Sequence, residues 1–359
     1  MKKVNITRCD KNPLLTVEDV KPSRSDMVVE GIFNCGATKY KDEYILLCRV
    51  AESVHTGDDN IVGIPVVKNN QGKIDFEVVK INKQEYPEYC FDDSRTITKG
   101  SDGNADVVYL TSLSHIRLAR SKDGVNFQID EKATIMPNDT DECWGIEDPR
   151  ITKIEDTYYI NYTAVSPNGA GTSLITTKDF ETFERQGMIF LPENKDVAIF
   201  PEKINGQYVA FNRPVPRGIG NPDMWISKSD NLYHWGEHKH FLGVSDDGWD
   251  NGRIGGGTQP VMTSKGWLEI YHAADKNNEY CLGALLLDKE DPSKIIAKSK
   301  NPLVRAEEAY EKKGFFGNVV FACGCILEGE NVIIYYGAAD DKVCRLDISV
   351  EEIYKHLGI

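Results

Sequence analysis

The sequence lacks both the long apolar runs that would cross a membrane and the excess of positive charge that would attract a nucleic acid. No segment approaches the roughly 18 apolar residues of a membrane span, and Met1–Asn5 continues into polar sequence, not into an apolar signal core. The 42 lysines and arginines are outnumbered by 56 aspartates and glutamates, so the formal net charge is −14. Nucleic acids and anionic membrane surfaces both require a positive face. We therefore expect a cytoplasmic protein that binds neither nucleic acid nor membrane, and any anionic substrate must find a local basic pocket.

The sequence also lacks a pattern of paired cysteines. Its nine cysteines are odd in number and scattered, and several lie inside apolar stretches such as Ile45–Cys48. Such positions favour reduced thiols in a core over a disulfide framework. Cys323 and Cys325 form the one close pair, and their spacing is not that of a zinc site. We therefore predict neither a disulfide scaffold nor a bound metal.

Short polar turns that each precede an apolar strand recur along the chain. The turn at 41–43 precedes Tyr44–Val50, and equivalent turns lie at 101–104, 155–157, 205–207, 264–266 and 328–330. Their spacing of roughly 50 to 65 residues is near the upper end of known repeat periods, and repeated units of short strands are typical of a β-propeller. These six hairpins allow five or six blades. Helical periodicity is scarce, with Val350–Leu357 as one short C-terminal helix, and no proline-rich linker divides the chain, so we predict a single all-β domain over residues 1–359.

The run Gly145–Thr152 places two adjacent carboxylates and a guanidinium in front of an apparent strand. Pro149 fixes its own φ and favours an extended conformation for Asp148. In an extended segment Asp148 and Arg150 share one side, and Glu147 points to the other. The plain alternative is a turn with a surface ion pair.

Four cations lie at corresponding edges of three repeats. Arg49 ends an apolar strand and needs an anionic partner there. Lys203 and Arg213 flank the apolar Tyr208–Phe211, and Arg150 follows the acid. Together they predict an oxyanion site suited to phosphate, since arginine forks make bidentate contacts and lysine supplies a point charge. The alternative is that each cation pairs with a neighbouring acid.

Other polar and aromatic residues occupy equivalent places, where the inner strands of a propeller would converge on its axis. Two roles are open to the aromatic residues, namely stacking on sugar rings and packing between blades. These residues are Trp144, Trp249, Phe316, Tyr271 and Tyr336. The remaining candidates for substrate binding are Asn34, Asp93, Arg95, Glu147, Tyr271, His272, Tyr336 and Asp340, and Asn212 is a candidate phosphate ligand.

Taken in order, these motifs resemble the mannoside phosphorylases of glycoside hydrolase family 130. The resemblance runs from about Asn34 to Asp340, nearly the whole chain. It rests on Gly145–Thr152, Phe200–Lys203, Asn212–Pro214, Gly266–Leu268 with Tyr271 and His272, and Tyr335–Asp340.

The resemblance implies a five-bladed propeller with its site on the axis and no cofactor. It also implies an inverting reaction in which inorganic phosphate attacks a β-mannoside and α-mannose 1-phosphate is released. Asp148 falls on the catalytic acid of the family, which is thought to act through a hydroxyl of the bound mannose. Asp340 falls on its sugar-binding acid.

The resemblance places Arg49, Arg150 and Lys203 on phosphate-binding positions, with Arg213 close by. Asn212 stands where many members have histidine, so we expect one phosphate contact to be weakened or replaced. Arg253 is a second departure, since lysine is expected there as often as arginine.

The predicted substrates are β-1,2-mannobiose and short β-1,2-manno-oligosaccharides, favoured over β-1,4-linked mannosides and mannosyl-glucose by the Asp92–Arg95 stretch. An inverting β-mannosidase that uses water would need a second carboxylate facing Asp148, and Glu147, Asp93 and Glu202 keep that alternative open. A propeller that binds glycans without turnover is the alternative outside enzymes. Whether the chain forms a homo-oligomer is left open.

Overall fold

The computed structural model describes residues 4–70, 73–100, 106–138 and 140–359. Within those ranges the chain is mostly β-structure, with two short α-helices and two 3₁₀ turns at Val17–Asp19 and Thr140–Glu142. The all-β prediction is therefore confirmed. The predicted turn at 101–104 lies outside the described residues, whereas the other five turns each join two antiparallel segments.

The N-terminal part of the chain contributes ten strands. They are β1 (Thr7–Arg8), β2 (Met27–Tyr40), β3 (Glu43–Val54), β4 (Ile61–Asn70), β5 (Lys73–Asn82), β6 (Tyr89–Cys90), β7 (Thr96–Lys99), β8 (Asp106–Leu110), β9 (Ser112–Ser121) and β10 (Gln128–Ile129).

The remainder contributes sixteen further strands and both α-helices. The strands are β11 (Gly145–Ile154), β12 (Thr157–Ser166), β13 (Gly169–Thr177), β14 (Glu184–Phe190), β15 (Asn194–Ile199), β16 (Tyr208–Pro214), β17 (Met224–Ser229), β18 (Gly236–Leu242), β19 (Arg253–Gly255), β20 (Val261–Thr263), β21 (Gly266–Ala274), β22 (Tyr280–Leu287), β23 (Ile295–Lys298), β24 (Val320–Glu328), β25 (Asn331–Ala338) and β26 (Lys342–Ser349). The helices are α1 (Ala309–Lys312) and α2 (Val350–Leu357).

The strands group into antiparallel units that follow one another along the chain. The first contains β2, β3, β9 and β10, and the second contains β11 to β14. A single parallel pair, Gly145 with Ser114, joins these two units into a ten-stranded sheet that also includes the β4–β5 hairpin. The third unit is β15 to β18, the fourth β19 to β23, and the fifth β24 to β26. Strands β6 to β8 form a small separate sheet inserted within the first unit.

The two ends of the chain meet in the fifth unit. Strand β1 pairs with β26, with Thr7 opposite Asp347. Helix α2 begins after Ser349, whose side chain accepts a hydrogen bond from the Glu352 N–H, and ends at Gly358, which has a φ of 79°. The predicted C-terminal helix is thus confirmed with its bounds, and both end signals are those that helices prefer. Neither α-helix in the described ranges has the length and apolar character needed to cross a membrane.

Aromatic side chains fill the space between neighbouring units. Between the third and fourth units, the ring of Phe200 lies 5.3 Å from that of Phe211 and 5.2 Å from that of Trp267, centroid to centroid. All three side chains are almost completely buried. Such edge-on packing holds the sheets face to face. At the inner side of the units, β2 lies against β24 and β11, and β11 lies against β15.

Candidate active site

Three inner strands, β2, β11 and β15, share one irregularity. Each carries one residue more than the strand it pairs with, at the bulges that contain Asn34, Asp148 and Asp196. These three residues have φ angles of 46°, 52° and 56°. Asparagine and aspartate tolerate this left-handed region better than other side chains, and a bulge re-aims the side chain that it carries. Successive units therefore turn one polar side chain each toward a common centre.

The carboxylate of Asp148 is buried and held from two sides. The Asn34 amide donates a hydrogen bond of 2.9 Å to its Oδ1, and Arg49 Nη1 lies 3.1 Å from the same oxygen. Burial opposes the ionised form, but Arg49, Lys195 and the Asn34 amide outweigh it, so the pKa of Asp148 is below its ordinary value. Without an added anion the acid is ionised at neutral pH.

The predicted extended conformation of Asp148 is wrong, because its φ of 52° lies in the left-handed region. The extra residue of the bulge also breaks the expected alternation. Glu147 and Asp148 both contact Arg49, while Arg150 Nη1 donates to the carbonyl oxygen of Asp148 and not to its carboxylate. The bulge thus brings the two adjacent acids to one cation.

Arg49 projects from β3 between these acids. Its Nη2 donates to Glu147 Oε1 at 2.8 Å, and its Nε donates to the Ser114 hydroxyl at 2.9 Å. Burial disfavours the guanidinium charge, but Glu147, Asp148 and Asp340 raise the pKa of Arg49 above its usual value. The prediction that Arg49 needs an anionic partner is confirmed.

Asp196 occupies the corresponding bulge of β15 and gathers three partners. Arg213 Nε donates to its Oδ2 at 2.7 Å, His272 Nε2 lies 3.1 Å from the same oxygen, and Arg150 Nη2 lies 3.4 Å from Oδ1. The side chain is fully buried. Although burial favours protonation, the Arg213 guanidinium and the hydrogen bond with His272 hold the pKa of Asp196 well below its usual range. The carboxylate therefore orients Arg213 toward the centre.

Two more cations, Lys195 and Arg253, reach this centre, and they are paired less closely with carboxylates. Lys195 precedes Asp196 and lies 3.9 Å from Glu147 Oε2. Arg253 begins β19 and donates to the neutral Asn278 side chain at 2.5 Å and to the Tyr280 hydroxyl at 3.1 Å. Among the described residues Arg253 has no carboxylate within 4.0 Å. Its charge is therefore available to an anion.

These side chains surround one cavity of about 360 Å³. Five cationic and three carboxylate side chains line it, so cations outnumber acids in the lining although the whole protein is strongly acidic. No group of three or more His, Cys, Asp or Glu suited to a metal ion occurs in the described part of the chain. The lining residues are Asn34, Arg49, Arg95, Asp148, Lys195, Asp196, Arg213, Arg253, Asn278, Tyr280, Phe316, Val319, Phe321 and Asp340.

Asp340 lines the same cavity as Asp148, from the turn that follows β25. Burial raises its pKa to about 6, and the nearby Asp148 adds to the shift, while Arg49 and Arg95 oppose it. Asp340 and the preceding Ala339 both have positive φ angles, which turn the chain into the cavity. Two acids of the same type thus differ in their proton affinity.

Arg95 forms one side of the cavity mouth. Asp93 holds its guanidinium in a fork, with Nε to Oδ1 at 2.9 Å and Nη2 to Oδ2 at 2.7 Å. The guanidinium carbon lies 4.5 Å from the ring centroid of Phe316, which belongs to the loop before β24. The contact joins the inserted sheet of the first unit to the fifth unit.

Comparison with known proteins agrees with this geometry. The model of glycoside hydrolase family 130, described as β-1,4-mannooligosaccharide phosphorylase, matches residues 104–358. This chain belongs to glycoside hydrolase family 130. A β-1,2-mannobiose phosphorylase of Listeria innocua is 45% identical over 356 residues, which is 99% of each protein. A 1,2-β-oligomannan phosphorylase of Thermoanaerobacter sp. is 42% identical over 261 residues, which is 72% of this chain and 86% of that protein.

A solved structure of the Listeria innocua β-1,2-mannobiose phosphorylase with β-1,2-mannobiose superposes with a TM-score of 0.94 at 46% identity, and 99% of each chain is covered. The resemblance inferred from the motifs, and with it the prediction of an enzyme of the mannoside phosphorylase family, is confirmed.

Two of the four predicted phosphate-binding cations do not reach the cavity. Arg150 is buried, and its Nε and Nη2 donate to the carbonyl oxygens of Gly257 and Gly256 at 2.7 and 2.8 Å. Lys203 is exposed on the surface with its Nζ 4.8 Å from the ring centroid of Tyr208. Arg150 therefore holds the loop before β20 in place, and Lys203 is remote because it lies beyond the end of β15. Arg49 and Arg213 do converge as expected.

Asn212 also lies outside the cavity. Its Nδ2 donates to the Ser227 hydroxyl at 2.7 Å, and its Oδ1 accepts from Asn194 at 3.0 Å. Both contacts are buried within the third unit. As a strand alternates its side chains between two faces, Asn212 and Arg213 point in opposite directions. The expected contact of Asn212 with phosphate is not supported by this position.

The aromatic candidates in the fourth and fifth units are core residues. Tyr271 packs on Trp249 at 5.8 Å between ring centroids, and the Tyr336 hydroxyl donates to Glu311 at 2.7 Å. Neither lines the cavity. His272 lies one layer behind it, with its ring 4.2 Å from that of Phe321 and its pKa lowered by burial. The histidine acts through Asp196.

Several lining residues were missed by sequence reasoning, namely Lys195, Asp196, Asn278, Tyr280 and Phe321. A signal for the first two was present. Lys195 and Asp196 are adjacent charged residues near the start of a strand, before the apolar Val197–Phe200, just as Glu147 and Asp148 lie near the start of theirs. Asn278 lies in the turn before β22, Tyr280 begins that strand, and Phe321 lies in the apolar β24, where the sequence does not distinguish a cavity residue from a core residue.

Changing Asp196 to Asn should lower the free energy of unfolding by about 3 to 5 kcal/mol, because it leaves Arg213 and Arg150 buried beside a neutral amide. Chemical denaturation of the purified variant measures this. The matched control is Asp42→Asn, which breaks an exposed pair with Lys122 and should leave the free energy of unfolding nearly unchanged. Equal losses in the two variants would show that Asp196 has no special role.

The ionisation of Asp340 should appear in the pH dependence of stability. Its pKa of about 6 in the folded protein lies above the ordinary 3.8, so the folded state retains a proton that the unfolded chain releases between these values. Stability from this group therefore falls as the pH rises through that window. The wild-type free energy of unfolding, minus that of Asp340→Asn, should decrease between these pH values and stay level above them. A flat difference would contradict the shift.

Proposed function

We propose that this chain catalyses inverting phosphorolysis of β-mannosides, with β-1,2-mannobiose and short β-1,2-manno-oligosaccharides as its substrates. The glycosidic bond at C1 breaks, a phosphate oxygen bonds to C1 from the opposite face, and α-mannose 1-phosphate and the shortened sugar leave. The observation that carries this proposal is the cluster of five cations around one acid-bearing cavity in a protein of net charge −14.

Phosphate is proposed to bind between Arg213, Arg253, Lys195 and Arg49. Arg213 is pre-oriented by Asp196, which keeps its guanidinium fork in place before the anion arrives. Arg253 faces the cavity with neutral partners only among the described residues, so a phosphate oxygen can become its first anionic partner. Lys195 adds a point charge. Arg49 lies nearest to Asp148 and links the anion site to the acid.

Asp148 is proposed to supply the proton for the leaving oxygen, by way of a hydroxyl of the bound mannose. Its lowered pKa reflects the positive charge of Arg49 and Lys195, after burial is outweighed. A phosphate bound at these cations cancels part of that field and returns the acid toward its protonated form. Proton donation and phosphate binding are coupled in this way.

The mannosyl unit is proposed to lie against Asn34, Asp340 and Arg95. Asn34 lines the cavity beside Asp148, to which its amide donates, and Asp340 presents a carboxyl group from the fifth unit. Sugar hydroxyls can exchange hydrogen bonds with the Asp340 carboxyl group. Glu147 lies behind Arg49 and holds it, and Asp93 holds Arg95. Asn34 and Asp340 therefore bind sugar, whereas Glu147 and Asp93 orient Arg49 and Arg95.

The arrangement favours phosphate over water as the nucleophile. An inverting hydrolase needs a base roughly 6.5 to 9.5 Å from the acid to activate water, whereas phosphate is already nucleophilic. Glu147 and Asp196 are each engaged by arginine, and Glu202 is exposed on the surface beside Lys203. Asp340 is the remaining lining carboxylate, so the hydrolytic alternative depends on it.

The β-1,2 linkage is proposed from the relatives. The Listeria innocua and Thermoanaerobacter proteins that align over most of this chain are named for β-1,2-linked substrates, whereas the family model carries a β-1,4 description. The 45% identity over 99% of both chains favours the β-1,2 linkage.

We further propose that the five antiparallel units are the five blades of one propeller domain over residues 1–359. A single pair, Gly145 with Ser114, joins the first and second units within the ten-stranded sheet. Counting them as two units gives five in total, not six. None of the nine cysteines, all within the described residues, forms a disulfide, which supports an enzyme working in the reducing cytoplasm.

The reaction is tested by incubating the protein with β-1,2-mannobiose with and without phosphate. We expect mannose 1-phosphate only when phosphate is present, and Asp148→Asn should lower the rate by about 10² to 10⁴-fold because the proton donor is lost. Free mannose without phosphate would instead support hydrolysis, and no product from β-1,2- or β-1,4-linked substrates would support a glycan-binding propeller.

The anion site is tested by comparing Arg253→Ala with Lys203→Ala. The first should raise the KM for phosphate by roughly 10- to 100-fold, as expected for a lost charge-assisted hydrogen bond, with a smaller effect on the KM for the sugar. The second is the control, since Lys203 is exposed and remote from the cavity. An unchanged KM in Arg253→Ala, or an equal rise in both variants, would remove Arg253 from the phosphate site.

A further inference from the structure

A second cavity lies beside the first, under the strands inserted between β3 and β9. Its volume is about 350 Å³. Strand ends of the first unit form its floor, and the β6–β8 sheet with the loop before β24 forms its sides. The lining residues with chemical character are Glu30, Ser53, Lys83, Phe91, Asp93 and Phe315. Neither the motifs nor the reaction above uses Lys83, Phe91 or Phe315.

The two cavities share their boundary. Asp93 and Ser94 line the second cavity while Arg95 lines the first, and Phe315 lines the second while Phe316 lines the first. Two consecutive segments therefore form the partition, and the contact between Arg95 and Phe316 joins them. Any molecule that extends from the first cavity in this direction enters the second.

The partition is made of side chains that can move. Arg95 and Asp93 each keep 41% of their side-chain surface exposed, and both belong to a loop on the inserted sheet. An exposed ion pair and one stacking contact are weak restraints in water. The arginine can leave Phe316 without breaking a buried contact.

The chemistry of the second cavity suits an uncharged sugar. Phe91 and Phe315 offer aromatic faces at partly exposed positions, where a pyranose can stack its C–H groups. The carboxylate of Glu30, which accepts from the Ser53 hydroxyl, and that of Asp93 can accept hydrogen bonds from sugar hydroxyls. One lysine against two carboxylates makes the cavity unfavourable for a second anion, in contrast to the first cavity.

The size of the first cavity also supports a separate site for a third sugar unit. At about 360 Å³ it lies near the lower end of the range of roughly 300 to 1,000 Å³ for small-molecule sites. It must hold phosphate together with the two sugar units on either side of the broken bond. A third unit has to lie outside it.

We propose that the second cavity is a distal subsite for a further mannosyl unit of a manno-oligosaccharide, and that Arg95 stacked on Phe316 is the movable wall between it and the reaction cavity. This inference rests on the proposed function and names the length of substrate that the site accepts. The enzyme then takes substrates of three or more units with an affinity that mannobiose does not reach, because the third unit adds contacts with Phe91 and Lys83.

Phe91→Ala tests the subsite through the difference between chain lengths. We expect kcat/KM for β-1,2-mannotriose to fall by about tenfold, mainly through KM, while kcat/KM for β-1,2-mannobiose stays within about twofold, since one aromatic contact is lost only to the longer substrate. Phe76→Ala on β5 is the matched control, because Phe76 is also partly exposed and lines neither cavity. Lys83→Ala is the second variant, since Lys83 is exposed and its loss leaves the apolar cluster under Phe91 intact.

Calorimetric titration without phosphate separates this inference from the proposed function. Wild-type protein should bind mannotriose more tightly than mannobiose, and both Phe91→Ala and Lys83→Ala should reduce that difference. Loss of the same size for both sugars, or no loss with either variant, would overturn the distal subsite even if mannobiose is phosphorolysed. Absence of mannose 1-phosphate from mannobiose would instead contradict the proposed reaction, while the mannotriose titration would still report on the second cavity.

Discussion

The carboxylate of Asp196 is the interaction on which the cavity depends. It is completely buried, and residues from three other strands converge on it, namely Arg213 from β16, His272 from β21 and Arg150 from β11. A buried charge is tolerated only when it is paired and hydrogen-bonded. The left-handed bulge that carries Asp196 directs it toward those partners. Without that bulge the arginine that faces the cavity would have no fixed orientation.

A bulge with a left-handed residue occurs in each of three neighbouring units, and the residue it carries has a different role in each. Asn34 on β2 supplies a neutral amide, Asp148 on β11 an acid that two cations influence, and Asp196 on β15 an acid that organises cations. Asp340 adds a second cavity acid with a raised pKa. Because the protein as a whole is acidic, the attraction for an anion is local, and charges beyond about 8 Å in physiological salt contribute little. The attraction for an anion and the difference in pKa between Asp148 and Asp340 therefore both arise from short contacts around the cavity.

The sequence predicted much of the fold and about half of the polar site. Recurrent turns identified the hairpins, and Ser349 and Gly358 are ordinary end signals for the helix Val350–Leu357. Arg49, Arg213, Asp148 and Asp340 line the cavity as their motifs indicated. Strict strand alternation failed for Arg150, since the extra residue at Asp148 turns the arginine toward Gly256 and Gly257.

The sequence by itself determined that the chain is acidic, built from repeated hairpins and marked by the ordered motifs of its family, because composition and turn chemistry are local properties. Only the tertiary structure decided which cations share a cavity. Arg49, the pair Lys195 and Arg213, and Arg253 come from the first, third and fourth units, and their meeting depends on how these units pack. Lys203 has the same charge and a similar motif, yet it faces water because its segment ends outside the centre.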